Sequence, residues 1–370
     1  MKTIQNMIIM TVFFCFAGAI TLSAEPKIQL GILLDTSGSM DGLIDQAKTQ
    51  LWKIVNEMAM AKQNGETPTL EVALYEYGQD SLPAENGYMR MVTELTTDLD
   101  AVSEALFALK TNGGYEYCGM VIDKAAKDLK WSSDNKTLKV IFIAGNEEFT
   151  QGTTDYRQSC KFAISKGIII NTIYCGDIDE GIRTDWKAGA ELADGHYMNI
   201  DQNKAVVYIE APQDKEIARL GDELNKTYIG YGTRGEEGKL MQEEQDTNAA
   251  AASPEASVQR TVTKSKKQYS NSHWDLVDAV KDGVVDMNTI DEAELPEEMK
   301  NMDEKERTAY IAEMTKKRND IQKQIDDLST ARRKYVEAEM KNRSEESTFD
   351  SAVIEIIRDV ASTKNFEYEK

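Results

Sequence analysis

From Lys27 onward the chain switches between two hydrophobic periods. Ile28-Gln29-Leu30-Gly31-Ile32-Leu33-Leu34 is almost continuously apolar and reads as a buried strand. Leu43, Ile44, Ala47, Leu51, Ile54, Val55 and Met58 then recur at helical spacing between Asp41 and Asn64, and Gly65 and Pro68 break the pattern. Leu70 to Tyr77 alternates as a strand, and a short strand around Tyr88 to Val92 is expected at the sheet edge. Asp98 caps a helix carrying Val102, Leu106 and Leu109 that stops at Asn112-Gly113-Gly114, and another helix runs from about Tyr115 to Lys130. Leu138 to Ala144 and Gly167 to Tyr174 lack polar alternation, as strands covered on both faces do, and a helix from about Thr154 to Lys166 separates them. His196 to Ile200 reads as the last strand. This alternation predicts an α/β domain over residues 25–232 with a doubly wound, mostly parallel sheet of Rossmann-like type.

Past Glu210 the pattern turns helical. Pro212 to Thr227 reads as a final helix, closed by the Gly-rich turn Tyr228-Ile229-Gly230-Tyr231-Gly232. Residues 233–302 form a helical or linker segment. Within it, 236–268 is polar enough for either exposed helices or a loose linker, His273 to Ala279 begins a short amphipathic helix, and Asp291 to Glu298 is an acidic surface connection. The third part is 303–370. Asp303 to about Arg343 holds no Gly or Pro, and Met314, Ile321, Leu328 and Tyr335 recur every seven residues with Ile325 between them. Arg318 and Arg332 take the other seam positions, so the heptad is only partly coiled-coil-like. Two uses of this helix stay open: packing one stripe on its own domain, or holding a second copy as a homo-oligomer. A terminal helix, Thr348 to Ser362, carries Val353, Ile356, Ile357 and Val360 on one face.

The first 24 residues read as a signal peptide: Lys2, an apolar run from Met7 to Phe16, and Leu22-Ser23-Ala24 before Glu25. Phe14 precedes Cys15 where a lipoprotein signal has a small residue. No later segment is apolar enough to cross a bilayer, so an exported protein, periplasmic or extracellular, is expected. The formal charge is −21, and Lys2 is the only charged residue of 1–24, which leaves −22 beyond it. That balance argues against nucleic acid as a partner, since phosphate contacts need clustered Lys and Arg.

Beyond residue 24 the cysteines are Cys118, Cys160 and Cys175, at spacings that match no compact zinc pattern. A bridge between Cys160 and Cys175, an approach of Cys118 to Cys175, and plain buried thiols all remain open. Two histidines in the chain exclude a histidine-based zinc centre. His196 reads as a packed or capping residue and His273 as a helix-start anchor. P-loop, Gly-x-Gly-x-x-Gly and Gly-x-Ser-x-Gly patterns do not occur.

The candidate chemistry lies in Asp35-Thr36-Ser37-Gly38-Ser39, a tight turn between the first strand and the first helix. Alternate spacing lets one carboxylate and two hydroxyls converge, and such oxygen donors suit a hard cation like Mg²⁺. Open α/β sheets also bind ligands at this strand edge. The pentapeptide resembles the metal-ion-dependent adhesion site of von Willebrand factor type A domains, a resemblance that covers roughly residues 27–210. The resemblance implies that Ser37 and Ser39 bind metal directly (Mg²⁺, or Mn²⁺ or Ca²⁺) and that Asp35 acts through water or orients them. It also implies two further loops, from which this sequence departs. Gly113-Gly114-Tyr115-Glu116 puts Glu116 in the family's Thr position, and Ala144-Gly145-Asn146-Glu147 puts Asn146 in place of its Asp. One carboxylate is lost and one gained, so the formal charge around the ion is conserved.

These features define the expectation of an exported, non-enzymatic binding or assembly module that engages a protein partner. Glu116-Tyr117-Cys118-Gly119, Ala144-Gly145-Asn146-Glu147 and Trp274-Asp275-Leu276-Val277-Asp278-Ala279 are similar to a bacterial exported subgroup of such proteins. The first rival is a scaffold that works through its C-terminal helices and keeps a vestigial metal site. The second is a cysteine-dependent enzyme.

Overall fold

The computed structural model describes residues 25–200, 208–342 and 349–368. The proposed signal peptide, Arg343 and Thr348 lie outside them.

The first strand, β1 (Lys27–Asp35), leads through a single 3₁₀ turn into α1 (Ile44–Ala59), and the two-residue β2 (Lys62–Gln63) follows. Next come β3 (Thr69–Tyr77), β4 (Arg90–Thr96) and α2 (Leu99–Ala108), whose start is fixed by Asp98 accepting from the Ala101 N–H. Residues 109–117 are irregular, so α2 ends earlier and α3 (Cys118–Asp128) begins later than the apolar spacing predicts. The Asn112-Gly113-Gly114 break explains this, because glycines leave the flanking segments without helical preference.

The α/β unit continues with β5 (Leu138–Gly145), α4 (Tyr156–Ser165), β6 (Ile168–Cys175), α5 (Ile178–Arg183), α6 (Trp186–Glu191) and β7 (Tyr197–Ile200). Sequence reading does not anticipate α5 and α6. Each is six residues long, too short to show a helical period.

The strand order is β4-β3-β1-β5-β6-β7, with β4 antiparallel at one edge and the others parallel. Pairing of Asp35 with Tyr77 and of Leu34 with Ala144 brings the C-terminal ends of β1, β3 and β5 to one edge. Successive β1 residues serve opposite layers. Ile28, Leu30, Ile32 and Leu34 pack with α1 and α2, whereas Leu33 packs with α3, α4 and Trp186. Such two-sided burial is the property expected of a doubly wound sheet.

The remaining helices are α7 (Asp214–Asn225), α8 (Gly235–Ala252), α9 (Pro254–Lys264), α10 (Leu276–Lys281), α11 (Glu297–Lys300), α12 (Glu304–Asn342) and α13 (Phe349–Ser362). A final two-residue strand, β8 (Phe366–Glu367), pairs antiparallel with β2. These helices cover the α1–α2 layer. Tyr269, Trp274, Ile321, Ile325, Val353, Ile357, Val360 and Phe366 belong to the same apolar core as β1 and α1. Ile229, Leu276, Val277, Met287, Leu295, Met299 and Ile311 make a smaller satellite core.

Residues 236–268 are thus neither a loose linker nor merely exposed helices. Arg260 of α9 is fully buried and pairs with Asp100 of α2 at 2.6 Å and with Asp246 of α8 at 2.9 Å. Tyr269 donates to the same Asp100 (2.5 Å), and Ser103 donates to Gln245 (3.1 Å). Polarity in this stretch records buried ion pairs and amides, which periodicity cannot tell from a solvated face. The seam residues of α12 behave likewise: Arg318 reaches Asp275 (2.6 Å) and Asp278 (2.8 Å), and Arg332 reaches Asp214 (2.6 Å).

Candidate metal centre

The β1 strand delivers Asp35 to the C-terminal edge of the sheet. Its Oδ1 accepts from the Ser37 N–H at 2.8 Å, a local turn that points the following hydroxyls back towards the carboxylate. The Ser37 and Ser39 hydroxyls are 2.8 Å apart. Ser39 Oγ donates to Asn146 Oδ1 (2.8 Å), and Asn146 Nδ2 donates to the Ser39 carbonyl (3.1 Å). The first turn and the loop after β5 are therefore clamped together through polar groups at the surface.

Residues 109–117 close the third side. The Asn112 N–H donates to the Thr36 carbonyl at 2.9 Å, and a Cβ on Gly38 would stand 3.3 Å from Gly113 backbone atoms. The Glu116 N–H is held by Gln151 Oε1 at 2.6 Å. Burial raises the Glu116 carboxyl above the usual range, a hydrogen bond from Ser37 lowers it, and the charge of Glu147 raises it again. Asp35, Ser37, Ser39, Glu116 and Asn146 thus meet in one place, although they come from three separate loops.

Asp35 is fully buried, and its Oδ2 has no hydrogen-bond partner. Burial pushes its carboxyl up to about 7, against the Ser37 hydrogen bonds and with help from the negative charge of Glu116. Glycines crowd this carboxylate. A Cβ on Gly78, where φ is +76°, would come within 2.7 Å of Asp35 Oδ1 and 3.1 Å of both Glu116 and Ser37. One on Gly145 would meet the Tyr77 hydroxyl at 2.5 Å and Asp35 Oδ2 at 3.0 Å. The loop after β3 is the part that sequence reasoning missed. Its signal is Gly78 directly after Tyr77, a glycine at the same strand edge as Asp35.

The donor set is two carboxylates, two hydroxyls and an amide, linked in sequence: Ser37 bonds Asp35, Ser39 and Glu116, and Ser39 bonds Asn146. Hard oxygen donors beside a buried carboxylate fit a hard divalent cation. Among the described residues there is no group of three or more His, Cys, Asp or Glu side chains arranged to hold a metal. Any fit therefore depends on the serines and Asn146. His196 pairs with Asp359 of α13 at 2.9 Å, and His273 lies 3.6 Å from Asp98; neither is near this centre.

Among the described residues no two cysteines form a bridge. Cys118, Cys160 and Cys175 are free and buried, and burial raises all three thiols, Cys160 to about 12. Beneath the centre, the Tyr77 hydroxyl donates to the Ala144 carbonyl (2.9 Å), with Cys118 Sγ 3.8 Å from its oxygen.

Residues 30–206 match the family model of the von Willebrand factor type A domain. No curated protein matches the chain. Among solved structures, the conserved hypothetical protein BatB from Bacteroides thetaiotaomicron is 16% identical, with a TM-score of 0.36, over 47% of this chain and 90% of that one. The SpRpn10 VWA domain is 15% identical, with a TM-score of 0.38, over 49% of this chain and 91% of that one. Proximal thread matrix protein 1 from the mussel byssus, with a zinc-occupied MIDAS motif, is 12% identical, with a TM-score of 0.37. That match covers 49% of this chain and 43% of the mussel protein. No helix among the described residues is long and apolar enough to cross a membrane.

Proposed function

Residues 30–206 form a von Willebrand factor type A domain, a fold that generally mediates protein–protein interaction, and on that premise we propose that this chain is an exported, non-enzymatic binding module with a modified metal-ion-dependent adhesion site. Asp35, Ser37, Ser39 and Glu116, with Asn146 beside them, are the residues that would hold a divalent cation such as Mg²⁺. The observation that carries this reading is Asp35, a fully buried carboxylate whose Oδ1 stands on the side of Ser37 and Glu116 and whose Oδ2 has no hydrogen-bond partner. A buried charge of this kind is costly unless something neutralises it. A bound cation would supply that neutralisation together with a Lewis-acidic point at the domain surface.

Glu116 changes what that point offers. A carboxylate in place of the family's threonine neutralises more of the ion's charge, so its pull on a partner's carboxylate weakens. Asn146 supplies no charge of its own and serves to tie the first turn to the loop after β5. A partner is then held by the loops around the centre more than by the ion.

The thiols speak against a cysteine-dependent enzyme. An activated thiolate needs a lowered pKa, and burial acts in the opposite direction here. Sluggish iodoacetamide labelling at every cysteine is the expected result.

Calorimetric titration of residues 25–370 with Mg²⁺ and Mn²⁺ tests the metal site. A saturable heat is expected, with a thermal stabilisation of about 3 kcal/mol at a hundredfold excess over Kd. Ser37→Ala should remove both signals. Absence of heat and of thermal shift at millimolar metal would overturn the assignment.

A further inference from the structure

Tyr115-Glu116-Tyr117 lies in the irregular loop before α3, and alternation along this loop separates its side chains. Glu116 turns inward to Ser37 and is 5% exposed, while Tyr115 is 57% exposed. The Tyr115 and Tyr117 rings stack with centroids 6.2 Å apart, and Tyr88 closes the group at 5.6 and 5.9 Å from them. Tyr88 reaches this position from a backbone at φ +55°, which a bulky side chain seldom adopts. The Tyr117 ring is seated on the loop after β5, since a Cβ on Gly152 would meet it at 2.6 Å. The result is a fixed three-ring platform beside the candidate metal centre, with one ring open to solvent.

The surrounding charge is mainly negative. The four loops at this edge (36–43, 78–88, 109–117 and 145–155) contain seven carboxylates, and Lys110 is their only cation. Asp80 and Glu148 are exposed, and Asp80 is held close to the platform by its N–H bond to the Gly113 carbonyl at 2.7 Å. An acidic partner side chain would be repelled from this face. A cation would be drawn in by the carboxylates and would meet the electron-rich faces of the rings.

We propose that this face docks a lysine- or arginine-bearing segment of a protein partner, with the Tyr88–Tyr115–Tyr117 platform taking the cationic side chain and the loop carboxylates supplying the complementary field. The inference rests on the reading of this loop edge as the binding face. It departs from a contact in which the partner gives a carboxylate to the metal.

The test uses residues 25–370 and two labelled decapeptides, (Gly-Lys)₅ and (Gly-Glu)₅, followed by fluorescence anisotropy in the presence and absence of Mg²⁺. The lysine peptide should bind, more weakly at higher salt, and the glutamate peptide should not. Tyr115→Ala should weaken lysine-peptide binding roughly two- to five-fold, the range of an exposed cation–π contact, while Tyr115→Phe retains it. Because the protein as a whole is acidic, Glu147→Gln/Glu148→Gln is compared with Glu297→Gln/Glu298→Gln, which removes equal charge far from the platform. A larger loss in the first double variant supports the proposal. Equal losses, no effect of Tyr115→Ala, or Mg²⁺-dependent capture of the glutamate peptide would overturn it. If Mg²⁺ binds by calorimetry and the lysine peptide does not, this inference alone falls. If the peptide binds and Mg²⁺ does not, the metal assignment falls and this inference stands.

Discussion

Asp35 is the residue at which the sequence motif becomes a measurable property. Its carboxyl, ordinarily near 3.8, stands at about 7 in the fold because water is excluded from it. Between those two values the folded chain keeps a proton that the unfolded chain has already lost. Stability of the metal-free protein should therefore fall as pH rises from about 4 to 7, and this group should add no further slope above that. A gap of this size is worth at most about 4 kcal/mol. Asp35→Asn should flatten the slope when unfolding by urea is followed in EDTA at pH 4.5, 6 and 8, and an unchanged slope would assign it to other groups. The motif itself was plain in the sequence, because Asp-x-Ser-x-Ser is contiguous and follows an apolar strand. The glycine at 78 was not, because its importance lies in the space it leaves beside Asp35, and excluded volume across loops has no signature in one chain segment.

At the scale of elements, the strands were the most legible part. The continuous apolar runs of β5 and β6 announced burial on both faces, and every residue of both is buried. Helices in the second half were harder to read, since their buried positions include charged residues. Arg318 is the clearest case. As a charged residue in an apolar seam it marks a weak heptad by periodicity. In the fold its guanidinium bridges Asp275 and Asp278, bonds the Thr227 carbonyl at 2.6 Å and lies 4.0 Å from the centre of the Tyr228 ring. Asp275 is itself the N-cap of α10 and accepts from the Ile229 N–H at 2.7 Å, so one ion pair joins α12, α10 and the turn after α7. Arg318→Ala should cost about 3–5 kcal/mol, because it strands two buried carboxylates. Lys323→Ala, on the exposed side of the same helix, should leave the urea midpoint unchanged. Equal effects of the two substitutions would show that α12 is not anchored through this pair.

For the molecule as a whole, the C-terminal helices complete the α/β unit. Lys53, Asn56 and Glu57 of α1 bond to Glu255, Gln259 and Arg358 respectively, at 3.1, 3.0 and 2.8 Å. Residues 25–232 expressed alone should therefore expose the apolar α1–α2 layer, bind the dye ANS and unfold at a lower temperature than residues 25–370. A truncated form that melts like the longer chain would make the helices a separate module. The pairing of β2 with β8 has a further consequence. Gln63 donates to the Lys364 carbonyl at 2.7 Å, a contact across 301 positions of sequence. Contacts of such separation form late and slow folding, because the loop between them must close first. The environment of α1 cannot be finished while a ribosome still holds residues 349–368. The outer layer of the α/β domain thus stays open on a nascent chain until residues 349–368 have been made and have left the ribosome.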